Sequence, residues 1–290
     1  MKIGFVGTGV MGNSMITHLI NAGHELFVYT RTKSKALKVL ELGAVWCDTP
    51  KEIAINSDLI ISMVGYPFDV RNIYLGENGI IEGITEGKNI VDMTTSTPSL
   101  AIELYDTFKK LNVGVLDAPV SGGDVGAKNA SLTIMCGGDL ELFDFVKPIF
   151  EVMGQTIVLQ GVAGAGQHTK MCNQIALAAN MVGVMEYITY AKMTGLDPKK
   201  VIKSIGTGSA QSTAMDVYAH RIFTGDLEPG FYIKHFVKDL KIAIDECELQ
   251  NIKLPGLLLA HNLYESLEKE GMGHLGTQAL IRYYKGEKDE

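Results

Sequence analysis

Lys170 is the residue whose placement most needs a reason. It ends the string Gly164-Ala165-Gly166-Gln167-His168-Thr169-Lys170, and the segment from Met171 to Met185 that follows carries no charge. A run rich in Ala, Met and Val, without Pro, reads as a helix that is apolar nearly all round and therefore buried. Lysine is seldom fully buried without a partner, and a cation in the first turns of a helix opposes its dipole. Asn173 and Gln174 follow at i+3 and i+4, on the lysine's own face. A second group is Gly7-Thr8-Gly9-Val10-Met11-Gly12. Lying between a short apolar run and an amphipathic pattern, it has the context in which GxGxxG binds a dinucleotide. The first glycine allows the turn, the second lets the backbone approach a pyrophosphate, and the third permits close packing of helix on strand. A third group, Thr30-Arg31-Thr32-Lys33-Ser34-Lys35, stands where an NAD site usually carries an acid for the ribose 2′-hydroxyl. It contains no carboxylate. Arg31 can stack on adenine and pair with a 2′-phosphate, and Thr32 and Lys35 add donors and charge, so NADP is expected, with NAD possible. Finally, Ser121-Gly122-Gly123 after an apolar strand offers successive backbone N–H groups, a natural carboxylate cradle.

The elements that must position these groups alternate. Strands are expected at Ile3–Val6, Leu26–Tyr29, Ala44–Trp46, Leu59–Val64, Asn89–Met93, Val113–Leu116, Leu132–Cys136 and Thr156–Leu159. Leu59–Val64 is almost continuously apolar, as in a parallel sheet covered on both faces. It runs into Gly65-Tyr66-Pro67, a loop on the carboxyl edge where ligands of such sheets bind. Thr49-Pro50 and Thr97-Pro98 read as helix caps with Pro at N1. Strand patterns then stop. Pro198–Ile205, Ser212–Phe223, Phe236–Leu249, Leu257–Glu268 and Thr277–Tyr284 all read as helical. The expected architecture is α/β: a Rossmann domain with a mostly parallel sheet over residues 1–162, then an all-α domain over 163–290, joined by the long helix. At 1.5 Å per residue that helix spans roughly 40 Å. It is too polar at Asn173, Gln174 and Asn180 for a membrane span.

The 290 residues are 46% hydrophobic, with a net charge of −7 and both signs scattered, which gives no basic patch for nucleic acid. Glycines at 7, 9 and 12 break the apolar start, so no signal peptide is expected. Cys47, Cys136, Cys172 and Cys247 are far apart and form no CxxC pair, as expected of reduced cytoplasmic thiols and not of a metal site. Cys172 reads as a small packed residue. The long apolar helix and the methionines from Met181 to Met193 are hard to bury in one small helical domain, so a homodimer or homotetramer is expected.

Four stretches, in order, resemble the β-hydroxyacid dehydrogenase family, which includes 3-hydroxyisobutyrate dehydrogenases and short semialdehyde reductases. They are Gly7-Thr8-Gly9-Val10-Met11-Gly12-Asn13-Ser14-Met15, Asp117-Ala118-Pro119-Val120-Ser121-Gly122-Gly123, the string from Gly164 to Gln174, and Lys238-Asp239-Leu240. The resemblance implies that Lys170 is the catalytic acid–base and that Ser121, Gly122 and Gly123 hold the substrate carboxylate. It places the substrate-holding amide at Asn173 or Gln174 and a second lysine of the site at Lys238. Nicotinamide-side contacts fall on the loops with Val64, Tyr66 and Pro67 and with Thr95 and Ser96. The implied activity interconverts a short 3-hydroxy acid and its semialdehyde with NADP. A non-catalytic NADP-binding scaffold, or an imine reductase on the same fold, is the alternative; imine reductases usually replace the lysine. The chain departs from the family at Gly276-Thr277-Gln278-Ala279-Leu280, where many members have an Asp and a Ser. It departs again at Met63-Val64-Gly65-Tyr66-Pro67, which replaces a common Met-Leu-Pro.

Overall fold

The computed structural model describes residues 1–284 and divides into two units, Met1–Lys170 and the chain from Met171 on. The first unit is built on nine strands: β1 (Lys2–Val6), β2 (Glu25–Tyr29), β3 (Val45–Trp46), β4 (Leu59–Ser62), β5 (Asn89–Asp92), β6 (Gly114–Asp117), β7 (Val120–Ser121), β8 (Leu132–Gly138) and β9 (Gly154–Gly161). Their order is β3-β2-β1-β4-β5-β6-β8-β7, with β9 paired to β8. From β3 to β6 every pairing is parallel. β8 runs antiparallel to β6 and β7 and parallel to β9. Chain order reverses between β1 and β4, so the carboxyl ends of these neighbours form the switch point of the sheet.

The helices of this unit are α1 (Val10–Asn21), α2 (Leu37–Glu41), α3 (Pro50–Asn56), α4 (Pro67–Leu75), α5 (Pro98–Lys109), α6 (Gly123–Lys128) and α7 (Leu140–Phe150). They cover a sheet whose central strands are buried along their length, Leu59–Ser62 completely, as parallel strands between two helical layers must be. One core cluster gathers Ile3, Phe5, Met15, Leu19 and Val28, and another Val6, Ile60, Ile90, Tyr74 and Phe108. Neighbours along a strand therefore serve opposite faces. Thr49 and Thr97 accept from Glu52 N and Leu100 N, each with Pro at the helix start, which is the cap chemistry the sequence signals.

Helix α8 (Ala165–Met193) begins in the first unit and continues into the second. There it is followed by α9 (Pro198–Ile205), a π-turn at Ala214–Tyr218, α10 (Ala219–Thr224), α11 (Ile233–Leu249), α12 (Pro255–Lys269), and a 3-10 turn (Thr277–Leu280) leading into α13 (Ile281–Tyr284). The core of this unit includes Met181, Met185, Ile188, Phe236, Leu240 and Tyr264. Phe236 stands edge-on to Tyr264 at 4.9 Å.

Several expectations need correction. α8 is not buried all round: Ala178, Met181, Val184, Met185 and Ile188 are buried, while Cys172, Ala176, Ala179, Asn180 and Gly183 are exposed. Absence of charge does not require burial, because Ala and Gly have little apolar area to hide. Cys172 is thus exposed and not packed, whereas Cys47 and Cys136 are buried. The turn at Ser121-Gly122-Gly123 leads at once into α6, too short to show a helical period. Ser212–Phe223 and Thr277–Tyr284 are each split by a π or 3-10 segment.

Candidate functional site

The glycine turn of the first unit fits a dinucleotide by shape. Gly7 has φ +109°, and a Cβ there would stand 2.1 Å from the Met63 carbonyl oxygen; at Gly12 it would stand 1.9 Å from the Gly7 carbonyl oxygen. At Gly9 a Cβ would meet nothing within 4 Å. The two outer glycines thus serve the packing of turn and helix, and the middle one leaves an open approach. No side chain caps the start of α1 behind Gly9, so its amides are available to an anion. Val10 is exposed and Met11 half-buried on that first turn. Asn13 Nδ2 donates to the carbonyls of Thr8 at 2.8 Å and Lys35 at 3.2 Å, tying the glycine turn to the basic one.

In the basic turn Thr30 is half-buried at the end of β2, while Arg31, Thr32 and Lys35 are exposed. Arg31 Nη1 pairs with Asp69 Oδ1 at 2.8 Å. At the end of β4, Val64 N donates to Thr94 Oγ1 at 3.0 Å. Tyr66 precedes α4, which Pro67 opens, and its ring stacks on Phe68 at 5.3 Å. The hydroxyls of Thr8 and Ser96 are buried without a hydrogen-bond partner among the described residues. Such groups are costly unless something polar meets them. The shaped turn, the uncapped helix start and these orphan hydroxyls fit an NAD(P) cofactor.

The start of α8 is locked to the sheet. Asp117, at the end of β6, accepts from Gly164 N at 2.7 Å and Gln167 N at 2.8 Å. It caps the helix with a carboxylate where the dipole favours one. Gln167, fully buried, donates from Nε2 to the Thr94 carbonyl at 2.8 Å and accepts at Oε1 from Ser96 N at 2.9 Å. The loop of Thr94, Thr95 and Ser96 is therefore fastened to the helix that carries Lys170, itself only 6% exposed. In the Ser121-Gly122-Gly123 turn, Gly122 and Gly123 have φ of +123° and +61°, and Ser121 ends β7. The positive dihedrals explain the glycines, since a side chain is strained there.

Burial pushes the Asp117 carboxyl up to about 6, helped by the nearby Asp92 charge and opposed by the backbone amides of Gly164, Gln167 and Asp117 itself. The native carboxyl thus keeps its proton to higher pH than the unfolded one. Its stabilising contribution is complete below about pH 4 and is lost as pH rises through about 6. In urea titrations the stability of the wild type relative to Asp117→Asn is expected to fall by about 3 kcal/mol between pH 4 and 7. A pH-independent difference would contradict this.

In the second unit Asn173 Nδ2 donates to Gln174 Oε1 at 2.7 Å, and Gln174 Nε2 donates to Asp239 Oδ2 at 2.6 Å. Lys238 Nζ lies 3.0 Å from Asp239 Oδ1. These four residues form one polar chain, with Gln174 and Asp239 buried. Burial, the Lys238 charge and the Lys234 charge lower the His235 pKa, against a smaller opposite pull from Asp239. His168 is exposed. In the departing segment Gly276-Thr277-Gln278, Gln278 donates to the carbonyls of Asp226 and Glu228 at 3.1 and 2.9 Å, so it ties a loop within this unit. The residues alone attach no role to Asp69, Asp117, Gln167 or Asp239. Asp117, Gln167 and Asp239 lie inside motif strings, and nothing local distinguishes their side chains from neighbours.

Residues 2–161 match the family described as the NAD binding domain of 6-phosphogluconate dehydrogenase. Residues 164–284 match the NAD-binding family of NADP-dependent 3-hydroxyisobutyrate dehydrogenase. The chain is 47% identical to a probable 3-hydroxyisobutyrate dehydrogenase-like protein of Arabidopsis thaliana, covering 97% of this chain and 84% of that one. It is 36% identical to 2-hydroxy-3-oxopropionate reductase of Escherichia coli K12, over 97% and 96% of the two chains. The solved 3-hydroxyisobutyrate dehydrogenase of Mycobacterium tuberculosis with L-serine superposes with a TM-score of 0.92 at 26% identity, over 98% and 99% of the chains. The chain belongs to the β-hydroxyacid dehydrogenase family, whose members are NAD(P)-dependent oxidoreductases. Among the described residues no helix is long and apolar enough to cross a membrane, and no group of three or more His, Cys, Asp or Glu side chains is placed to hold a metal ion.

Proposed function

We propose that this protein interconverts a short 3-hydroxy acid and its semialdehyde, prefers NADP, and uses Lys170 as the general acid–base. The observation that carries this reading is a buried lysine on a helix whose first turn is clamped to the cofactor-side loops by Asp117 and Gln167. A bound nicotinamide supplies the hydride chemistry. In reduction the Lys170 ammonium donates a proton to the aldehyde oxygen as negative charge develops there; in oxidation the neutral amine removes it from the hydroxyl. The Ser121 hydroxyl and the amides of Ser121, Gly122 and Gly123 hold the carboxylate, which fixes the position of the reacting carbon. Asn173 acts with Lys170 in catalysis by orienting the lysine or the substrate, Gln174 and Lys238 contribute to holding substrate, and Lys238 also to holding cofactor. Gly7, Gly9, Val10, Met11 and Gly12 receive the pyrophosphate, with Val64, Tyr66, Pro67, Thr95 and Ser96 on the nicotinamide side. The absence of an acid at the end of β2, with Arg31, Thr32 and Lys35 in its place, supports the preference for NADP. Assembly into a cytoplasmic homodimer or homotetramer belongs to the same reading, and sedimentation as a monomer would count against it.

The test is oxidation of NADPH and NADH against glyoxylate and the succinic, methylmalonic and tartronic semialdehydes. NADPH is expected to support turnover of at least one carboxylated aldehyde with the higher kcat/KM. Arg31→Ala should lower kcat/KM for NADPH at least about tenfold, the loss of a charge-assisted phosphate contact, and leave NADH little changed. NADPH binding without turnover of any aldehyde would favour a scaffold.

A further inference from the structure

The Arg31–Asp69 pair crosses the switch point of the sheet. Arg31 lies two residues beyond the end of β2, and Asp69 lies in the first turn of α4, just after β4. These two strands flank β1 on opposite sides. The ion pair therefore bridges the carboxyl end of β1, where the glycine turn begins. Its two members are unequal: the Arg31 side chain is 75% exposed and that of Asp69 only 5%. The acid is the fixed member. Its second oxygen, Oδ2, is buried with no hydrogen-bond partner among the described residues. Gly65 leaves it room, since a Cβ there would stand 3.2 Å away. A buried carboxylate is expensive to keep, and here its one paired oxygen holds an otherwise loose guanidinium.

We propose that Asp69 is a specificity-positioning residue, which pins Arg31 by Nη1 so that the rest of the guanidinium fork is presented to the 2′-phosphate of NADP. The inference rests on the NADP reading above. Two effects compete. Asp69 adds a negative charge near a phosphate, but through exposed arginine and water that repulsion is screened. Without Asp69, Arg31 must give up the rotamer freedom of a long exposed side chain each time it binds, and a pre-organised fork avoids that loss. The second effect is the larger, so removing the acid weakens NADPH.

The experiment measures binding of NADPH and NADH to the full chain by calorimetry, for the wild type, Asp69→Asn, Asp69→Ala, Arg31→Ala and the Arg31→Ala/Asp69→Asn double variant. Both Asp69 variants are expected to weaken NADPH about five- to tenfold and NADH less than about twofold. In the Arg31→Ala background, Asp69→Asn should change nothing further, because its effect runs through the arginine. Unchanged or tighter NADPH binding in the Asp69 variants overturns the inference. So does a parallel loss of NADH, which would make Asp69 a structural or ribose-binding acid, and so do additive losses in the double variant. If Arg31→Ala itself leaves NADPH binding intact, the NADP reading fails. If Arg31→Ala weakens NADPH while the Asp69 variants do not, the positioning role alone fails.

Discussion

Lys170→Ala is expected to lower turnover of the preferred aldehyde by about 10²–10⁴-fold, the range for a lost general acid–base. Cofactor binding should survive, because the glycine turn and the basic turn are built from other elements of the first unit. KM for the aldehyde is expected to change much less than kcat, since the proton is needed chiefly in the transition state. Lys170→Arg is the informative companion. It keeps the charge, but a guanidinium neither gives up its proton near neutral pH nor exists there as a neutral base, so reduction and oxidation should both suffer nearly as much as in Lys170→Ala. Stopped-flow single turnovers with NADPH, which separate hydride transfer from product release, are the measurement. A variant that turns over at the wild-type rate would move the proton chemistry to another residue.

Gly166→Ala is expected to damage both stability and turnover, for a different reason. A Cβ at that position would stand 2.4 Å from the Met135 carbonyl oxygen, 2.7 Å from Asp117 Oδ2 and 2.8 Å from the Asp117 carbonyl oxygen. Two of the three are backbone atoms of the sheet, which cannot swing aside. The first turn of α8 would have to lift, and with it the Asp117 bonds to Gly164 N and Gln167 N. A loss of about 2–4 kcal/mol in unfolding free energy is expected from overpacking together with a broken cap. Turnover should fall at least about tenfold, since Lys170 lies about one helical turn further along. Gly183→Ala, on the same helix, is the control. A Cβ there meets nothing within 4 Å, so Ala should leave the stability unchanged or raise it by up to about 1 kcal/mol. Urea titrations of both variants check the pair. Equal stabilities would show that the helix start tolerates displacement.

What could be read from the residues alone was set by chemistry local in the chain. The glycine turn, the Thr-Pro helix starts, the apolar run of β4 and the missing acid after β2 each lie within a few residues. Their spacing therefore carried the α/β order and the NAD(P) class. Tertiary structure decided whatever depends on partners distant in sequence. Asp117 reaches amides 47 and 50 residues away, Gln167 reaches Ser96 across 71, and Gln174 finds Asp239 across 65. The directions of β8 and β9 and the exposed face of α8 belong here too, because strand pairing and burial depend on what the rest of the chain brings alongside. The residues proposed to bear the chemistry stand out because their types are rare in such places. The residues that hold them still do not, because an Asp or Gln acquires that role only from the backbone amides and side chains the fold places against it.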